Sequence, residues 1–235
     1  MALNPTERSS RSFLYRELAK LGAEFDEINS HACAVRMGGD AAAEAAQAHS
    51  LALCDLSPIR RVGFKGWATA EWLGAQGVII EDAPNRVYPQ ADGARVARLS
   101  KGEFVVLGDL GSVSSLPDRL DMAWSMASAN GCFRVPRADA SAWLGVTGSH
   151  APAMFAKVCG VDLRPHKFPN HAIAQTSLAR MSAIILRADR GSTLAYDLLF
   201  DLASAVYLWG ALLDAMAEFG GKPVGLDALR SLARN

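Results

Sequence analysis

An internal repeat constrains this chain more than any other feature. Val62-Gly63-Phe64-Lys65-Gly66 is matched by Leu144-Gly145-Val146-Thr147-Gly148, displaced by 82 residues. Val96-Ala97-Arg98-Leu99-Ser100 is matched at the same displacement by Leu178-Ala179-Arg180-Met181-Ser182. Chance seldom gives two separated landmarks one offset. The period is too long for a solenoid array and points to two copies of one supersecondary unit.

Local patterns supply the content of the unit. Arg60–Lys65 reads as a strand closed by Gly66, and Trp67–Gly74 as a short helix. Residues 82–94 read as turn-rich loop. Arg95–Leu99 and Glu103–Leu107, separated by Ser-Lys-Gly, read as a hairpin. The segment Asp118–Ala129 reads as a helix with Pro117 in its first turn and Asn130-Gly131 at its end. A helix from about Ala203 to Phe219 answers it. The expected architecture is therefore an α+β domain with an internally duplicated strand–helix–hairpin–helix unit, each sheet burying the face the other leaves open. Repeat one covers about 53–131 and repeat two about 132–235, within a single pseudo-twofold domain of residues 11–235. Residues 1–10 are polar and read as a mobile arm. Two further helices, Ser12–Gly22 and Ala41–Leu51, precede the repeats, the second capped by Asp40.

Charge and composition remove several function classes. With 24 basic against 24 acidic residues, the chain lacks the cationic excess that displaces counterions from nucleic acid. Its most apolar run, Leu202 to Leu213, is about 12 residues, whereas a membrane-spanning helix needs roughly 20. That run sits in a helix apolar around most of its circumference, which predicts burial against its own sheet or a flank turned to a partner chain. Four cysteines with no CxxC spacing read as reduced thiols in a cytoplasmic protein.

Most catalytic signatures are missing. The chain has no GxxxxGK[ST], no GxGxxG, no GxSxG and no HExxH. His166 and His171 flank Pro169 without further metal ligands nearby, so no metal site is expected. Cys54-Asp55-Leu56-Ser57 reads as a turn whose Asp and Ser bond local backbone. Asp197 and Asp201 flank a strand, and Asp201 is placed to cap the helix that follows.

Several segments carry a family resemblance. Cys54-Asp-Leu-Ser57, Arg61-Val-Gly-Phe-Lys-Gly66 and Ala70-Glu-Trp-Leu73 resemble the opening of the glycine-cleavage aminomethyltransferase superfamily, which has a folate-binding-type fold. Ala83-Pro-Asn85, Val96-Ala-Arg-Leu99, Cys159-Gly-Val-Asp-Leu163, Phe168-Pro169, Ala174-Gln-Thr176, Tyr207-Leu-Trp209 and Glu218-Phe-Gly220 resemble one branch, the gamma subunit of heterotetrameric sarcosine oxidase. The similarity runs from roughly Leu53 onward.

Three departures bear on chemistry. The superfamily's aspartate pair, which handles the aminomethyl-folate nitrogen, should fall in Gly93-Ala-Arg-Val-Ala-Arg-Leu99, and no carboxylate is there. The Tyr-Thr-Gly-Glu element is replaced by Arg190-Gly-Ser-Thr-Leu-Ala-Tyr196, without the Glu. The C-terminal barrel of the full-length enzymes is not expected here. A missing general base costs about 10²–10⁴-fold in rate. The resemblance thus implies an accessory, gamma-type subunit with no catalytic residues, packed on large flavoprotein subunits that hold FAD, FMN and NAD and oxidise an N-methyl amino acid such as sarcosine. The alternative is a free-standing tetrahydrofolate-binding protein or one-carbon transferase. Under that alternative Arg98 and Arg180, at matched repeat positions, are the candidate cofactor-binding residues, converging near the pseudo-twofold axis on a carboxylate tail.

Overall fold

The computed structural model describes residues 3–7 and 10–232. Of the expected mobile arm, residues 1–2 and 8–9 lie outside the described residues; Pro5–Glu7 form a 3₁₀ turn and the Leu3 N–H bonds the Phe25 carbonyl at 3.2 Å.

The chain opens with α1 (Tyr15–Lys20) and a hairpin of β1 (Glu24–Ile28) and β2 (His31–Arg36). Asn29 and Ser30 join these strands with φ of 52° and 64°, the two left-handed residues that a tight hairpin turn requires. Next comes α2 (Ala41–Ser50), where the Asp40 carboxylate accepts the N–H groups of Ala42 and Ala43, as expected of its cap.

The repeats follow. β3 (Ala52–Asp55) leads into β4 (Arg61–Lys65), α3 (Thr69–Ala75), a meander of β5 (Arg86–Pro89), β6 (Arg95–Arg98) and β7 (Glu103–Leu107), then α4 (Leu116–Ala123). In the second copy β8 (Phe133–Val135) leads into β9 (Ser141–Thr147), α5 (Ala151–Val158), a meander of β10 (Ile173–Leu178), β11 (Met181–Arg187) and β12 (Ala195–Asp201), then α6 (Ala205–Ala217). A short strand β13 (Lys222–Pro223) and α7 (Leu226–Leu232) complete it. The duplicated unit is present, with each expected hairpin widened to three strands.

One sheet has the order β5-β6-β7-β4-β8 and the other β10-β11-β12-β9-β3-β13. Each repeat therefore sends its leading strand into the other's sheet: β3 pairs with β9, and β8 pairs with β4. Alternating side chains sort the cores. Val96, Phe104 and Val106 face outward onto α3 and α4, through Trp72, Leu73 and Leu120. Leu144, Tyr196, Leu198 and Phe200 face α5 and α6, through Phe155, Leu208 and Leu212. Ala97, Val105, Leu107, Trp143 and Leu199 meet between the sheets, closed at one side by Leu226, Leu229 and Leu232 of α7. The result is helix, sheet, sheet, helix.

Two expectations shift. The helix expected over Asp118–Ala129 stops at Ala123, because Ser125 folds a local turn with Ser128 and the Trp124 indole reaches the Cys132 carbonyl at 2.8 Å. Asp201 caps a 3₁₀ turn, Leu202–Ser204, that precedes α6. Leu208, Trp209, Leu212 and Met216 bury one face of α6, while Val206 and Tyr207 leave a flank open.

Arg61 fastens the crossing. Its buried guanidinium donates to the carbonyls of Ser57 and Ile59 after β3, and to those of Arg137, Ala138 and Ser141 after β8.

Candidate functional site

Among the loops at the ends of the two sheets opens a cavity of about 1020 Å³, within reach of the size that holds a small organic ligand. The β5–β6 turn, the loop between β11 and β12, the loop after β7 and α7 form its wall. Arg95 enters it from the start of β6. Arg190 enters from the β11–β12 loop, where Arg190 and Thr193 exchange backbone bonds at 2.9 and 3.0 Å around Gly191.

Both arginines converge on Asp197, which is fully buried on β12. Arg190 Nη2 donates to Asp197 Oδ1 at 3.0 Å, and Arg95 Nη1 donates to Oδ2. The Trp143 indole N–H also donates to Oδ1 at 3.0 Å, and the Arg95 guanidinium lies 5.7 Å from the Trp143 ring centre. Burial pushes the Asp197 carboxyl up, but the charges of Arg95 and Arg190 outweigh it and hold the group below its ordinary range. Burial pulls the Arg190 guanidinium down, opposed by Asp197. Arg190 Nη1 is buried and has no hydrogen-bond partner.

The other carboxylates of the wall are already engaged. Asp189 takes a two-point contact from Arg187, at 3.0 and 2.6 Å. Asp227 pairs with Arg230 at 3.1 Å, and Asp109 Oδ1 accepts the N–H groups of Val113 and Ser114. Asp92, a nearby substitute for the missing aspartates, accepts from the Ala94 N–H and the Ser114 hydroxyl. Each of these carboxylates thus has at least one hydrogen-bond or ion-pair partner.

The two residues expected to converge are held apart. Arg98 is buried at the end of β6 and donates to the carbonyls of Glu81, Ser100 and Lys101 and to the Asp82 carboxylate. Arg180 is exposed in the two-residue turn between β10 and β11, with φ of 67°, and borders a groove beside α5 and α6. The structural counterpart of Arg98 is Arg187. Each is the last residue of the middle meander strand and faces an aromatic across the ladder, Phe104 for Arg98 and Tyr196 for Arg187. Arg187 likewise holds the loop before its meander, through the carbonyls of Phe168 and Pro165. The connection from α5 to β10 is longer than that from α3 to β5, so a constant offset of 82 drifts out of register there.

Cys54 and Asp55 read as structural. Burial raises the Cys54 thiol far from reactivity, and Asp55 Oδ1 accepts the Ser57 N–H at 2.9 Å. His171 lines the cavity while His166 borders a separate groove. Sequence reading missed Arg95 and Trp143 altogether. The only available signal was two arginines standing in the stretches where the family resemblance expects carboxylates.

Two sheets packed face to face, helices on both outer faces and a ligand-sized cavity between two crossed repeats define a folate-binding-type α+β domain of the aminomethyltransferase class. Residues 91–234 match the GCVT N-terminal domain, and the chain belongs to that family. It is 25% identical over 231 residues to an aminomethyltransferase of Saccharopolyspora erythraea, covering 90% of this chain and 59% of that protein. Its fold resembles the glycine cleavage system aminomethyltransferase T of Bartonella henselae, with a TM-score of 0.74, 16% identity, and coverage of 95% of this chain and 62% of that one. It also resembles a chain of the heterotetrameric sarcosine oxidase of Corynebacterium sp. U-96, solved with pyrrole 2-carboxylate, with a TM-score of 0.61, 22% identity, and coverage of 76% and 92%. The chain spans about six-tenths of the length of the aminomethyltransferases it matches. Among the described residues no helix is long and apolar enough to cross a membrane.

Proposed function

We propose that this chain is a non-catalytic accessory subunit, of the gamma type, in a cytoplasmic flavoprotein complex that oxidises an N-methyl amino acid such as sarcosine. The observation that carries this reading is the cavity wall: every carboxylate on it is already engaged, and arginines stand where a one-carbon transferase needs a base. The branch-specific motifs support it, as does the coverage of a heterotetrameric sarcosine oxidase chain over 92% of its length. FAD, FMN and NAD belong to the partner chains in this reading. The chain's own part is to pack against the large subunit and stabilise the assembly, for which the open flank of α6 at Val206 and Tyr207 offers apolar surface.

Co-expression with the neighbouring genes, followed by pull-down on this chain, tests the proposal. The expected product is a yellow complex containing a flavin-bearing chain several times larger. A colourless soluble monomer whose tryptophans quench on adding tetrahydrofolate would overturn it in favour of a free-standing folate binder or transferase.

A further inference from the structure

Among the described residues every carboxylate lining the cavity has a hydrogen-bond or ion-pair partner, yet the cavity is kept. Its floor holds two guanidinium groups against one carboxylate, because both Asp197 oxygens serve Arg95 and Arg190 together. Asp189 and Asp227 are balanced by Arg187 and Arg230, and Asp109 is turned to backbone amides. Around Asp197 itself the guanidinium groups outnumber the carboxylate two to one, while Asp109 keeps the charge of the wall as a whole in balance.

The same cluster contains an unanswered donor. Arg190 is 93% buried as a residue, the complement of its 7% exposure, and its Nη1 meets no acceptor. Buried charged donors are almost always bonded, so an unanswered one beside a cavity marks a place where an acceptor would be stabilised. Burial and the charge of Arg86 favour the neutral form of His171, which leaves a hydrogen-bonding imidazole on the same wall. Pro89, Leu110 and Val113 add apolar surface around the polar floor.

We propose that the cavity binds an organic carboxylate, its carboxyl group seated on the Arg95–Arg190 pair and its apolar body against Pro89, Leu110 and Val113. Planar guanidinium groups match a carboxylate in geometry and charge. The inference concerns the isolated chain's cavity and stands apart from whether a partner subunit docks on it.

Calorimetric titration of the full chain with 4-ethylbenzoate and its uncharged isostere 4-ethylbenzamide tests the site. The carboxylate is expected to bind one-to-one and at least about tenfold more tightly than the amide. Arg190→Gln should abolish that preference. Because Arg190 is buried, a second pair guards against misfolding: Val113 lines the cavity yet is 83% exposed. Val113→Glu should weaken the carboxylate about two- to fivefold relative to Val113→Gln, through like-charge repulsion at short range. Equal affinities for acid and amide, no saturable binding of the acid by the folded chain, a preference that survives in folded Arg190→Gln, or identical Val113 variants would each overturn the assignment.

Discussion

Gly66 and Gly148 end equivalent strands of the two repeats and seat equivalent neighbours. Both have positive φ, 144° and 110°. Gly66 lies against the backbone of Gly131 and Cys132, just before β8, and Gly148 against that of Ser50 and Leu51, just before β3. The hydrogen bonds are duplicated as well: Ala68 donates to the Gly131 carbonyl and His150 to that of Ser50, at 3.1 and 3.0 Å. Each glycine is thus the point where the leading strand of the other repeat arrives. A Cβ at either would both strain the backbone and push that strand away. Gly66→Ala and Gly148→Ala are expected to lower unfolding free energy by about 3 kcal/mol or more each, read by urea denaturation. A loss under 1 kcal/mol in either would contradict the arrangement.

Asp197 predicts an acid limb. Its folded pKa lies below the ordinary 3.8, so the folded state holds its proton less tightly than the unfolded state. Its contribution is fully present above about pH 4 to 5 and is lost as pH falls through the depressed value. Asp197→Asn leaves Arg95 and Arg190 facing a neutral amide and should cost about 3–5 kcal/mol at pH 7. The gap between wild type and variant should stay flat from pH 6 to 8 and narrow below about pH 4. Thermal melts across that range check the sign.

Arg98, Arg187 and Arg180 should respond differently to substitution. Arg98→Met and Arg187→Met remove buried guanidinium groups that each hold loop carbonyls and one carboxylate, at a cost of about 1–3 kcal/mol each. Arg180 sits in a left-handed turn position that glycine adopts without strain, so Arg180→Gly should gain about 1 kcal/mol. Denaturant midpoints of the three variants separate these outcomes.

Arg61→Met should be among the most damaging single changes. Five carbonyl oxygens from two crossing loops would lose their shared donor. The expected loss is about 3–5 kcal/mol, with amide exchange rising in residues 57–59 and 137–141 together. Exchange rising in only one of these loops would show that Arg61 does not couple them.

Much of this fold was legible from local signals. The Gly66 and Gly148 landmarks marked true repeat equivalents, and the starts of α3 and α5, Thr69 and Ala151, keep the same 82-residue spacing. Asp40 and Asp201 announced their caps because capping is decided within three residues. The Arg98–Arg180 equivalence failed because a longer loop after α5 moves the register, which no motif of five residues records. β5 was hidden by Pro84 and Pro89, which read as loop, and β3 is too short to show a period. The Arg95–Asp197–Arg190 cluster joins residues 102 and 7 positions apart, so only the sheet packing brings them together.

The exchanged leading strands bear on how such a chain could have arisen. A chain of one unit, donating that strand to a second copy of itself, would build the same two sheets as a symmetric swapped dimer. Joining the copies through the segment between α4 and β8 makes partner concentration irrelevant, since loop length then fixes how often the halves meet. It also frees the two cavity walls to diverge, so that Arg95 comes from one copy and Arg190 from the other with no twin across the axis. An identical pair of subunits could not have made that asymmetric floor.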